Sequence, residues 1–295
     1  MDYGKELKKV VMLSTTMNPS NYTYPDREER LTSRLIQSYE ETRWNLEEAY
    51  VLKKVKDTLL EDKEKLTVSL DVGTGLGRLI SFLLSISTKV IAIDADLWRL
   101  RRAMESFGDR PNVFFLWTKG SRLDPIPPES VDFINYSHVA QHVAHHELLE
   151  TLGEFYRVLK DDGWLLLLTT HSEGKEWFLV STENGIKEIK RNEYEKLTRN
   201  SQPGKLPVRK FDVDYLEALL RDFGFKIEWK IYYHIKPEFV AGAEIEEPES
   251  INGNPAERNQ EQGVEEIIKI LKSINSNEME ARRKALDVAL LLRKG

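Results

Sequence analysis

Short continuous apolar runs alternate along the chain with stretches whose apolar residues return every three or four positions. The runs are Thr67–Val72, Lys89–Ile93, Asn112–Trp117, Val131–Ser137, Trp164–Thr170, Lys226–Ile235 and Asp287–Arg293, and each reads as a strand. Helical spacing fills the gaps from Leu79 to Leu84, Leu97 to Phe107, His145 to Leu159 and Phe211 to Phe223, the last ending at Gly224. Strands separated by helices imply a mostly parallel sheet covered on both faces. Ahead of the first strand, Leu31, Leu35, Ile36, Tyr39, Trp44, Leu46, Tyr50, Val51, Val55 and Leu59 recur at helical steps and predict a cap. Asp26 would start it, with Glu29 as a capping-box partner, after an irregular arm over residues 1–25.

Two stretches break the pattern. Residues 172–208 are polar and contain Pro203-Gly204, which predicts a long loop serving as a lid or substrate element. Residues 236–262 are loop-like, followed by a helix over Val264–Ile274 and a charged turn. The expected division is a cap over residues 1–65 and an α/β domain over 66–295, with insertions at 172–208 and 236–285.

Composition narrows the chemistry. None of the 295 residues is cysteine, which excludes disulfides, cysteine-ligated zinc and thiol nucleophiles. With abundant Glu, Lys and Arg, this leans towards a heat-adapted intracellular protein. A net charge of −6 provides no global basic footprint for nucleic acid. No apolar run approaches the ~20 residues that span a bilayer, and Val10–Leu13 is too short for a signal peptide, so the cytoplasm is expected.

The candidate chemistry lies where the first strand meets the first helix after it, at Asp71-Val-Gly-Thr-Gly-Leu-Gly77. Glycines there let backbone approach a ligand, and the helix start favours anionic or polar groups. Asp94, ending the second strand, suits the two hydroxyls of a ribose. The dinucleotide fingerprint would need glycine at 73, 75 and 78, but position 78 is Arg78. The pattern D-x-G-x-G-x-G instead resembles motif I of the S-adenosylmethionine (SAM) methyltransferases. Ser130-Val-Asp-Phe-Ile-Asn-Tyr-Ser137 with Gln141-His142-Val143 resembles their fourth-strand motif. Arg157-Val-Leu-Lys-Asp-Asp-Gly-Trp164 resembles the turn before their fifth strand, with Asp161-Asp162 replacing the usual turn residues, and Phe223-Gly-Phe225 precedes a later strand. The resemblance runs in order over roughly 66–235 and 286–295 and is greatest to the small-molecule class I group that includes ubiquinone- and menaquinone-pathway enzymes.

That resemblance implies a Rossmann-like, doubly wound, mostly parallel seven-stranded sheet with an antiparallel last strand, and SAM as cofactor. It places Asp71, Gly73, Thr74, Gly75, Gly77, Asp94, Ala95, Ser121 and Tyr136 at the cofactor, Asp71 either beneath the amino group or ordering the turn. Near Lys119-Gly120-Ser121-Arg122 the usual adenine-binding acid is missing, and Ser121 is the candidate replacement. His138 and His142 are the candidate catalytic, substrate-facing residues. With His146 they fall at i, i+4 and i+8, but the strand ends near Ser137, so no metal site is predicted. A base is needed only if the acceptor must lose a proton. The expected acceptor is a small molecule. The alternatives are a tRNA or protein methyltransferase using Lys187, Lys190, Arg191, Lys196, Arg199, Lys205, Arg209 and Lys210, a non-catalytic SAM-binding protein and, more distantly, a nicotinamide dehydrogenase.

Overall fold

In the computed structural model, residues 39–61, 64–200, 202–239 and 267–295 are described. The residue 1–25 arm, the Asp26 cap, Tyr22, Tyr24 and nearly all of 236–262 lie outside them, as do the Tyr39 and Trp44 side chains. After helix α1 (Tyr39–Leu59) come β1 (Leu66–Val72), α2 (Ile80–Ile86), β2 (Ser87–Asp94), α3 (Leu97–Phe107) and β3 (Val113–Trp117). Then follow β4 (Val131–Ser137), α4 (His145–Val158) and β5 (Leu159–Ser172). Runs such as Leu165–Leu168 are fully buried, because strands covered on both faces have no solvent side to alternate towards.

The main sheet has the order β3-β2-β1-β4-β5, extended by β10 (Ala285–Lys294) and β9 (Phe225–Ile235). β1 pairs in parallel with β2 and β4, so strand order reverses at β1 and opens a crevice at the carboxyl ends of β1 and β4. β10 runs antiparallel to both β5 and β9. The doubly wound sheet with one reversed strand is therefore as the sequence predicts. Across one end of it lies α1, whose Val51, Val55 and Leu59 recur at four-residue steps and are buried, facing β9. Trp229 Nε1 of β9 donates to Thr58 Oγ1 at 3.2 Å, and the Ile235 amide donates to Glu47 at 2.9 Å.

Residues 172–208 differ from the expected loop. They form β6 (Trp177–Thr182), β7 (Gly185–Glu188) and α5 (Arg191–Arg199) and lead into β8 (Leu206–Asp212). β6 pairs antiparallel with β7 and β8, and β8 adds to the end of β5 through His171↔Phe211 and Ser172↔Asp212. Few apolar positions suffice: Tyr194, Leu197 and Thr198 are the buried face of α5, and Pro207, Arg209 and Phe211 alternate inward along β8. Phe211 thus belongs to a strand rather than to the following helix. Asp212 caps that helix, α6 (Val213–Asp222), accepting from the Asp214 amide at 2.9 Å. A helix α7 spans 267–274, and the supposed charged turn is a further helix, α8 (Glu278–Lys284), capped by Asn277. No helix among the described residues is long and apolar enough to cross a membrane.

Candidate functional site

The turn after β1 is shaped by three left-handed glycines, with φ of 78° at Gly73, 58° at Gly75 and 86° at Gly77. The amides of Gly73 and Thr74 both donate to the Ile93 carbonyl of β2, at 2.8 and 2.9 Å, locking the turn across the sheet. A Cβ added at Gly73 would stand 2.1 Å from Val139 Cγ2, so only glycine fits. Above this turn opens a cavity of about 490 Å³, lined by residues that include Asp71, Gly73, Thr74, Gly75, Asp94, Ala95, Tyr136, His138 and His142. Gly77 lies outside the lining and packs against Ile80 and Phe107 instead. On the β3 side the wall is Thr118, Lys119 and Gly120, and Ser121 is not part of it.

Two buried carboxylates hold the cradle. Asp94 Oδ2 accepts from the Gly75 amide at 2.7 Å and Oδ1 from the Asp96 amide at 2.8 Å. Burial pushes its pKa up to about 6, against the pull of those two amides and of Arg99. Asp71 Oδ2 accepts from Thr74 Oγ1 at 2.6 Å and Oδ1 from Asn135 Nδ2 at 2.7 Å. Ser137 Oγ donates in turn to Asn135 Oδ1 at 2.7 Å. Burial raises the Asp71 pKa too, and the Thr74 and Asn135 hydrogen bonds oppose that rise. Its geometry is thus that of a tie between the glycine turn and β4. Asn135 was not singled out from sequence, since only the β1–β4 pairing brings it to Asp71.

The histidines part company. His138, at the end of β4, has a left-handed φ of 56° and sets its Nε2 3.0 Å from the Tyr233 hydroxyl. His142 closes a short 3-10 turn, Ala140–His142, and its Nδ1 lies 2.8 Å from the Pro207 carbonyl, which makes that nitrogen the donor. Burial lowers its pKa to about 4, so it is neutral at pH 7. His146 is exposed on α4, and among the described residues no group of three or more His, Asp or Glu side chains is placed to hold a metal. Tyr136 reaches the cavity wall, but its side chain is buried with the ring edge-on to Phe155 at 5.0 Å. Of the basic residues named from sequence as a nucleic-acid or protein surface, Arg209 is not surface at all: it is 1% exposed, paired with Glu176 and stacked over Phe211 at 4.4 Å.

Comparison with known proteins agrees with this geometry. A family model described as "Methyltransferase domain" matches residues 70–167. No curated protein matches the chain. Among solved structures, the Burkholderia thailandensis 1,6-didemethyltoxoflavin-N1-methyltransferase, with bound 1,6-didemethyltoxoflavin and S-adenosylhomocysteine, superposes with a TM-score of 0.51 at 16% identity, over 90% of this chain and 87% of that one. A Listeria monocytogenes protein assigned as a SAM-dependent methyltransferase gives 0.51 at 17% identity, over 85% of this chain and 99% of that one. At such identities the superpositions report fold alone, whereas the family match falls on the cradle itself. The chain carries a class I SAM-dependent methyltransferase domain, with its glycine turn, both buried carboxylates and the β4 motif inside the matched residues 70–167.

Proposed function

We propose that the chain methylates a small-molecule acceptor inside the cavity above the glycine turn, with Asp94 as the ribose-binding residue. The observation that carries the reading is a cavity of about 490 Å³ walled by buried polar groups, within the range of ordinary small-ligand sites. The residues present fit SAM. Each Asp94 oxygen uses one lone pair on a backbone amide, and a carboxylate offers about four acceptor sites, so both oxygens can still take a ribose hydroxyl. Gly75 keeps a side chain out of the space under the ligand, where a Cβ would meet nothing nearer than Arg99 Nη1 at 3.8 Å, and Ala95 leaves the ribose side of the wall open. Bound there, SAM supplies a methyl group on a positively charged sulfur.

The chain's own part is binding and alignment. Asp71 fixes the turn through Thr74 and fixes β4 through Asn135, so the two sides of the crevice keep one spacing. Holding two reactants in line contributes up to roughly 7–11 kcal/mol towards the barrier without any further catalytic group. His142, tied to Pro207, is a positioning residue for the wall, whereas His138 faces the acceptor. Thr118–Gly120 form the adenine side in place of the Ser121 contact expected from sequence.

Titration calorimetry with SAM and S-adenosylhomocysteine tests the cofactor roles. Asp94→Ala should weaken both by about 1.5–3 kcal/mol, the usual contribution of hydrogen bonds to a charged group. Because the acceptor form of Asp94 is the carboxylate, wild-type affinity should fall as pH drops below about 6. In the limit the loss is about tenfold per pH unit. An Asp94→Ala protein that binds like wild type removes this residue from the site.

A further inference from the structure

His138 and Arg78 each belong to two neighbourhoods. Both line the cofactor cavity. His138 also meets the Tyr233 hydroxyl at 3.0 Å and lies parallel to the His234 ring, 6.2 Å between centroids and 8° between planes. Arg78 Nη1 pairs with Glu48 Oε2 of α1 at 2.5 Å, and His234 Nδ1 lies 2.5 Å from Asp287 Oδ2 of β10. The strand register confirms a shared face: Asp287 stands opposite Tyr233 on β9 and Thr170 on β5. His171, one residue further on β5, rests against Tyr232, and the Asp287 charge reaches it as well, opposing the burial that lowers its pKa.

Two oxygens in the patch have no hydrogen-bond partner, Glu48 Oε1 and Asp287 Oδ1, on residues only 7% and 6% exposed. Leaving a buried acceptor unpaired costs about 1–3 kcal/mol, and more for a charged one. Both carboxylates, with Glu47 beside them, lie near enough to Tyr233 to add to the rise that burial imposes on its phenol. Among the described residues the fixed cation there is Arg78, whose side chain is 55% exposed, and His234 offsets Asp287 only when protonated. The patch therefore has spare acceptors and a surplus of negative charge. A ligand complementary to it brings several N–H donors and a positive charge. An alcohol brings one donor and no charge, and a carboxylic acid adds a further anion.

We infer that the methyl acceptor is an amine, bound beside His138 by Glu48 and Asp287, with the His234–Asp287 pair taking its proton; this rests on reading the adjoining cavity as the SAM site. An ammonium nitrogen has no lone pair to attack with. One proton passes from it to the His234–Asp287 pair, which frees the lone pair. The N–CH3 bond then forms as the methyl–sulfur bond breaks, and that electron pair leaves with sulfur as the neutral thioether. The product nitrogen carries the positive charge, and the proton held by the pair goes on to solvent. Tyr233, through its hydrogen bond to His138, acts as a positioning residue for the wall between the two subsites.

The test is calorimetry on the full chain saturated with S-adenosylhomocysteine, titrated with three probes of matched skeleton: benzylamine, benzyl alcohol and benzoate. Benzylamine should bind about tenfold or more tighter than the other two, and Glu48→Gln and Asp287→Asn should each reduce its affinity about tenfold. Affinity for S-adenosylhomocysteine should stay at the wild-type value in both variants. Equal or tighter binding of the alcohol or benzoate overturns the proposal, as does benzylamine binding that is absent or unchanged in both variants. If Asp287→Asn, inside a three-strand pairing, fails to melt cooperatively, Glu48→Gln decides alone. Failure of the underlying cofactor reading shows separately, as absence of S-adenosylhomocysteine binding in the first titration.

Discussion

His171 ends β5 as a buried side chain, and neither ring nitrogen has a well-formed hydrogen bond; the Ser172 backbone offers only a marginal one. Burial lowers its pKa from 6.5 to about 4. Above pH 6.5 the ring is neutral in both folded and unfolded chains. As pH falls below that value the unfolded chain takes the proton first, so stability is lost towards pH 4 at about 1.4 kcal/mol per unit. His171→Phe keeps the ring contact with Tyr232 and removes the unpaired nitrogens, so it should add about 1 kcal/mol at pH 7. Its advantage should widen at pH 6 and 5 in urea melts, and a variant less stable than wild type at every pH would refute the account. Residue identities of this kind divide sharply in legibility. Asp71, the glycines and Asp94 stand out in sequence because their spacing along one strand, turn and strand already states the geometry. Asn135, Glu48, Tyr233, His234 and Asp287 carry no such mark, since their partners lie on other strands and helices.

At the scale of elements, the β6-β7-α5-β8 unit holds the segment after β4. The Tyr194 hydroxyl of α5 reaches the carbonyls of Gln141 and Val143 at 3.1 and 2.7 Å, and Pro207 of β8 receives His142. From within, Gln141 Oε1 accepts the Thr170 amide at 3.0 Å. Val139, whose methyl group fills the space over Gly73, belongs to the same short segment. Tyr194→Phe leaves those buried carbonyls without their donor, so a loss of about 1–3 kcal/mol in stability is expected. Cofactor affinity should fall with it, although Tyr194 is absent from the cavity lining. Unchanged calorimetric binding in a destabilised variant would show that the unit supports the fold and not the wall. The sequence reads this unit as a loop because its strands are short, half-exposed and rich in charge. Its order comes from pairing with β5 and from one buried face of a nine-residue helix, which leave little trace in a hydropathy pattern.

For the molecule as a whole, the order of strands and helices and the reversed final strand are legible, because continuous apolar runs mark strands buried on both faces. The loop expected over 172–208 is what the architecture revises. With α5 burying Tyr194 and Leu197, and with β6 paired on both sides, amide exchange in β6 and α5 should already be slow without any ligand. The hairpin turn at Gly185, open on all sides, should exchange fast. Uniformly fast exchange across 177–199 would restore the loop reading.

The reversed strand also constrains how the chain is made. β10 is the last of the described strands in order, yet it lies between β5 and β9, and both of its neighbours emerge from the ribosome before it. Until it arrives, β5 and β9 expose unpaired backbone edges flanking a slot one strand wide, the kind of template that recruits strands from other chains. Since Val288–Leu292 is fully buried, a nascent chain stalled before Ala285 would present an apolar slot as well as two open edges. Completion of the sheet would thus wait on residues 285–294, and a frameshift just before them would leave both edges open.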